Sequence, residues 1–276
     1  MPRAVYAGHS MLFRHRSEQM VSAYDSLQQQ EPLSDNASSP LMKAHIVNQN
    51  DIFYNKGRLL AEERYREVWE INSLADDNDC AVVISEQGSV IGNMNVQLRR
   101  EGMPLKSETF FGKEHWRPYF TASTSNIADI SSLAISDNLR TKIRRPTMMM
   151  LILGVQSLGR LLGINHFVAI QHEFLIRILK KSLHLPFFRN NLITAPLGDI
   201  PDDRYWNRGK PPRIYYLNAN NRQVIDTCCS FFCYLNVAGI QTSFLPRLKQ
   251  DNLPYAAFKK NWHRDKEQVA IPESIH

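Results

Sequence analysis

Residues 127–171 read IADISSLAISDNLRTKIRRPTMMMLILGVQSLGRLLGINHFVAIQ, and this stretch decides the fold. Its first nine residues, Ile127–Ile135, are apolar and small residues in a pattern that predicts a strand. Residues 137–140 follow as a turn. Pro146 suits the first position of a helix, where its missing N–H and fixed φ do no harm. Residues 147–162 then carry an apolar face, and Gly163 ends the run. Residues 165–170 predict a second strand, and residues 172–183 an amphipathic helix that stops before Pro186. Strand, helix, strand and helix in this order predict a parallel strand pair joined by a crossover helix.

Outward from this block the signals continue. Residues 58–71 place Leu59, Leu60, Tyr65, Val68 and Trp69 at helical spacing. Residues 80–85 and 90–98 predict two strands joined by a turn at Glu86-Gln87-Gly88, which makes a hairpin. Residues 101–126 carry Phe110, Phe111, Trp116 and Tyr119 without a clear period, and read either as a loop over an apolar pocket or as core packing. Residues 212–217 predict a strand, and residues 219–236 a last helix capped at Asn218 or Asn220. Residues 1–45 are polar and twice broken by proline towards their end. They read as a mobile extension ahead of one domain spanning residues 46–276.

Composition narrows the class. The 276 residues are 43% hydrophobic and 22% charged, as in ordinary globular chains. No apolar run approaches the roughly 18 residues of a membrane span, and residues 1–45 lack the apolar core of a secretory signal. Cys80, Cys228, Cys229 and Cys233 do not form a disulfide framework, so a cytoplasmic location is expected. The cysteine cluster near residue 230 lacks histidine partners and reads as core thiols, and no metal is expected. His166 and His172 flank a strand and read as structural. Glycine-rich nucleotide loops, nucleophile elbows and zinc signatures are missing.

The net charge of +6 is gathered in clusters: Arg140, Lys142, Arg144 and Arg145; then Arg177, Lys180 and Lys181; then a group at residues 259–266. Such clusters suit nucleic acid, an anionic membrane, an acidic protein or plain solvation. They lack interleaved aromatic residues, which argues against single-stranded nucleic acid.

The segment DISSLAISDNLR, residues 129–140, resembles the strand-and-turn signature E-x-S-R-L-A-V-x-x-x-x-R of acyl-homoserine lactone synthases and the related N-acyl amino acid synthases. INHFVAIQ and HEFLIRILKKSLHLPF resemble the strand and helix that come next in that family. RYREVWE at residues 64–70, DDND at 76–79 and PLGDIPDDRYWNRGKPPRIYYLN at 196–218 resemble its flanking segments in the same order. Residues 58–218 carry the likeness.

The resemblance implies a single GNAT-like α/β domain, a central mixed sheet flanked by helices, that moves a fatty acyl group from a thioester to an amine. Its most specific form is synthesis of an acyl-homoserine lactone autoinducer, a quorum-sensing signal, from S-adenosylmethionine. An N-acyl amino acid synthase and a non-catalytic GNAT-like binding module are the alternatives. By the same resemblance Asp129 stands where the family has a glutamate that positions or deprotonates the amine, and Ser131 matches the family serine; both are catalytic candidates. Trp69, Asp76, Asp79, Ser132 and Ile170 are substrate-binding candidates. Ser132 stands where an arginine is usual, and Asn95 falls near another family arginine, so two donor forks are missing.

Coenzyme A-dependent members carry glycines in the turn after the strand, which let backbone N–H groups approach a pyrophosphate. Residues 140–145 here hold four cations and no glycine. That suits the acidic surface of an acyl carrier protein, so Arg140, Lys142, Arg144 and Arg145 are expected to bind the carrier. Expected partners are therefore the carrier protein and a small amine acceptor, and not nucleic acid. No cofactor stays bound; the acyl-phosphopantetheine thioester and S-adenosylmethionine are substrates.

Overall fold

The computed structural model describes residues 40–74, 78–100, 102–122, 126–207 and 209–248. Residues 1–39 of the extension expected at 1–45, the candidate Asp76 and the basic group at 259–266 lie outside the described residues.

Strand β1 (Leu41–Asn48) opens the sheet. Helix α1 (Ile52–Trp69) is capped by Asp51, whose carboxylate accepts from the Phe53 N–H at 2.8 Å. Strands β2 (Cys80–Glu86) and β3 (Ser89–Leu98) form the expected hairpin. Gln87 and Gly88 both have positive φ, 51° and 84°, as a two-residue turn with the right twist demands. Helix α2 (Lys106–Phe111) precedes β4 (Ile127–Ile135), helix α3 (Thr141–Leu162) and β5 (His166–Gln171). Helix α4 (Glu173–Lys181), a two-residue β6 (Phe188–Arg189) and the short α5 (Arg204–Asn207) follow. Strand β7 (Arg213–Asn218), helix α6 (Arg222–Val237) and β8 (Gln241–Arg247) complete the chain.

The strands lie in one sheet in the order β6-β7-β5-β4-β3-β2-β1-β8, so the described elements form a single mixed α/β domain. Strands β4 and β5 pair in parallel, as the crossover helix requires, and so do β1 and β8; the other pairs are antiparallel.

Three expectations need correction, and one open alternative is decided. The domain boundary at residue 45 cuts through β1, whose Met42 and Ala44 are fully buried core residues. Helix α3 begins at Thr141 rather than after Pro146; proline's φ is helical, and the one backbone donation it forgoes points to the exposed first turn. Of the two readings of the aromatic segment before β4, core packing is the one observed: Leu105, Phe111 and Trp116 are buried with Ile214 and Tyr216 in a second apolar cluster. Of the three clustered cysteines only Cys228 is buried, its thiol pushed up to about 11 by burial, whereas Cys229 and Cys233 are exposed.

Pleating gives the sheet two unlike faces. Met42, Val82, Met94, Val96, Ile130 and Phe167 point towards α3, α4 and α6 in the main core. Asn93, Asn95, Asp129 and Ser131 point the other way, towards α1 and α2.

Candidate active site

Strands β4 and β5 stay together for only three register pairs, Ile127↔His166 to Asp129↔Val168. From Ile130 onward β4 turns away, so its β5-side edge faces a gap instead of a partner strand. On the α3 side the gap opens into an apolar cavity. Ile130, Leu133, Ala169, Gln171, Leu175 and Phe187 are among the residues that line it.

A bulge shapes the freed edge. Asn95 pairs with Ser131 but Asn93 pairs with Ala134, so Ser132 and Leu133 together span Met94. Ser132 is buried and takes φ 51°, a left-handed conformation unusual for a residue with a side chain.

The opposite face carries buried and part-buried polar groups in neighbouring hydrogen-bonded sets. The Asn93 Nδ2 donates to Asn95 Oδ1 and to the Ser132 carbonyl, both at 3.0 Å. Ser131 Oγ donates to Asn78 Oδ1 at 3.0 Å. Asp129 accepts from the Ser107 N–H and the Ser107 hydroxyl, both at 2.7 Å, which fixes the start of α2 on the strand. The candidates Asp129, Ser131 and Ser132 are thus brought together on β4.

Asp79 stands apart from them. Its carboxylate accepts from the Leu98 N–H at 2.6 Å and pairs with Arg100, which ties the start of β2 to the end of β3. Trp69 lies at the end of α1, stacked on His172 with ring centroids 4.8 Å apart and met edge-on by Tyr205. The Tyr205 hydroxyl donates to the Ile170 carbonyl at 2.6 Å. Ile170 itself packs in the second apolar cluster, while its neighbours Ala169 and Gln171 face the cavity. His172 is buried, and burial lowers its pKa; backbone carbonyls of Tyr205 and Lys210 oppose that shift.

The four cations after β4 divide into two pairs. Arg140 and Lys142 are exposed at the start of α3, with the Arg140 guanidinium 3.9 Å from the Glu86 carboxylate. Arg144 turns back to donate to the Asp137 carbonyl at 2.5 Å, and Arg145 lies 5.5 Å over the Tyr234 ring.

No protein-family model matches the sequence, and no curated protein does. Solved structures do resemble the fold. BjaI, a CoA-dependent acyl-homoserine lactone synthase solved with SAM and isopentyl-CoA, superposes with a TM-score of 0.51 over 80% of this chain and 99% of its own, at 11% identity. The chain has the GNAT-like fold. LasI, also an AHL synthase, has a TM-score of 0.47 over 67% of this chain and 93% of its own, at 14% identity. FeeM, an N-acyl amino acid synthase from uncultured soil microbes, has 0.43 over 67% and 94%, at 11% identity.

Within this GNAT-like domain, sequence reasoning missed three residues of the site: Asn93, His172 as the partner of Trp69, and Tyr205. Asn93 had one indirect signal, the glycine at position 57. A glycine inside a helical pattern usually marks a close approach. Here a Cβ on Gly57 would stand 2.4 Å from Asn93 Oδ1.

Proposed function

We propose that this protein transfers an acyl group from a phosphopantetheine thioester to an amine acceptor. The observation that carries this reading is the parting of β4 from β5 over an apolar cavity. An extended pantetheine arm can add to the freed edge of β4 while its acyl group enters the cavity. Backbone N–H groups on that edge polarise the thioester carbonyl, where fixed donors act without reorganisation. The amine nitrogen attacks the carbonyl carbon, the C–N bond forms, the C–S bond breaks, and the thiol leaves with a proton. Asp129, directly or through a water, takes the amine proton, and Ser131 orients the acceptor. The acceptor enters from the α1–α2 side, where Trp69, His172 and Tyr205 offer aromatic surface to a cationic group.

S-adenosylmethionine is the first acceptor of this reading and a free amino acid the second. Ser132 and Asn95, both short and uncharged where arginines are usual, favour the second. The donor is an acyl carrier protein, supported by the exposed Arg140 and Lys142 at the start of the helix that follows β4. The test is expression in a heterologous bacterium and mass spectrometry of organic extracts. A new N-acyl product is expected, and Asp129→Ala abolishes it. No product across varied donors and acceptors overturns the enzyme reading. Arg140→Glu with Lys142→Glu weakens carrier-protein-dependent turnover and its salt sensitivity, whereas unchanged kinetics overturn the role of these cations in donor binding, and turnover with acyl-coenzyme A alone assigns the donor to coenzyme A.

A further inference from the structure

We infer that Asn93 is the positioning residue of the acyl-transfer site, the side chain that holds the β4 bulge and so aims the freed edge at the thioester carbonyl. The inference rests on the thioester reading above, and it adds a residue that no motif marks.

Two unfavourable features meet at this one place. Ser132 is held left-handed at φ 51°, and the buried Asn93 Oδ1 has no hydrogen-bond partner. Folds keep such features where the surroundings determine them, and they gather at functional sites. Asn93 accounts for both. It is 0% exposed. Its two amide protons straddle the bulge, one on the Ser132 carbonyl and one on Asn95 Oδ1, which belongs to the first residue back in register. Turning the amide over would set its oxygen against the Ser132 carbonyl, which can only accept, so that contact fixes the assignment. The oxygen must then face α1, and α1 leaves room only because residue 57 is glycine.

The consequence reaches the reacting edge. Without the extra residue, β4 would pair with β3 in simple register, and every side chain beyond Ser131 would exchange faces. Leu133 would leave the apolar core and Ala134 would turn away from Asn93. The backbone groups facing β5 would shift with them. Asn93 touches no substrate in this scheme; it acts through Ser132.

The experiment compares wild type with Asn93→Leu, Asn93→Asp and Gly57→Ala. Leu keeps the branched side chain of four heavy atoms and removes both donors; Asp keeps the shape and replaces the amide donors with acceptors; Ala at 57 pushes on the carboxamide without removing it. Single-turnover transfer from an acyl-phosphopantetheine to the acceptor found in the product screen is measured per folded molecule. Loss of aligned carbonyl donors lowers kcat by about 100-fold for Asn93→Leu and Asn93→Asp, with donor KM within threefold. Gly57→Ala gives a smaller loss of the same kind. A raised KM with unchanged kcat, or full activity per folded molecule, overturns the inference.

Crystal structures of Gly57→Ala and of whichever Asn93 variant folds give a readout independent of activity. Ser132 is expected to leave positive φ and the β3–β4 register to slip beyond it. An intact bulge without the Asn93 donors overturns the inference whatever the kinetics. A slipped register in a protein that makes no N-acyl product leaves Asn93 as the holder of the bulge and overturns the thioester reading instead.

Discussion

The two faces of the sheet are built by different rules. Towards α3, α4 and α6 the interior is methionine, leucine, isoleucine and valine, with Met148, Met149 and Met150 buried in succession along α3. Towards α1 and α2 the interior holds Asn78, Asn93, Asn95, Ser107, Glu108, His115, Asp129 and Asn190, all at most 7% exposed. An apolar face tolerates small shifts, because its contacts are many and undirected. A buried polar face does not, because each group must keep a specific partner or bear its desolvation. The soft side adjoins the cavity that would receive a variable acyl chain. The rigid side holds the strand that would present fixed donors.

The sharpest break in this contrast comes from Arg99. Its guanidinium pairs with Glu108 at 2.7 and 3.2 Å, and the Glu108 side chain is 1% exposed. Burial alone would raise the Glu108 pKa, but hydrogen bonds from Arg99 and from the Leu105 and Glu114 N–H groups lower it overall. Arg99→Met strands that carboxylate and is expected to remove about 3–5 kcal/mol of stability in urea unfolding. A loss below 1 kcal/mol would mean that the polar face is as forgiving as the apolar one.

Acidification probes the same face. His115 is buried beside Tyr216, its Nδ1 2.8 Å from the hydroxyl, and burial lowers its pKa from 6.5 to about 4. Between those values the unfolded chain binds more protons than the folded one, so stability falls as pH drops through that window and is level above it. The expected loss from this group is roughly 3 kcal/mol, read from unfolding at stepped pH; His115→Gln flattens the slope.

On the apolar face, Gly154 seats α3 on β2, where a Cβ would stand 2.3 Å from Val82 Cγ1. Gly154→Ala is expected to cost about 1–3 kcal/mol, and Val82→Ala in the same chain returns part of it, because soft packing can be refilled. Absence of any rescue would contradict the contrast. The smallest effect belongs to Ser132→Gly, which relieves the left-handed backbone and raises stability by about 0.5–1 kcal/mol, seen as a shift in the thermal midpoint.

Much of this was legible in the sequence because its causes are local. Ile127–Ile135 is read correctly to the residue, since period and flanking turn agree. Gly163 ends α3 at φ 72° as its position suggests. The hairpin at Gln87-Gly88 follows from turn chemistry alone. What was missed depends on partners far away in the chain. Strands β1 and β8 pair with each other across nearly the whole domain, and neither carries a strong pattern of its own. Asn93 is a poor strand former by composition, and its role exists only once β4 is bulged beside it and α1 lies over it. The aromatic group of Trp69, His172 and Tyr205 joins three separate segments, so no spacing announces it.

The sheet's two ends have a consequence for how the molecule behaves in company. One end is β6, with only two residues, and the other is β8, which carries Pro246 opposite Ile46. Open sheets invite strands from other molecules along their free edges, and proline and shortness are two ways of refusing them. Among the described residues, a visiting strand would find one edge too brief to grip and the other interrupted by a proline. Both described edges thus resist the addition of a further strand.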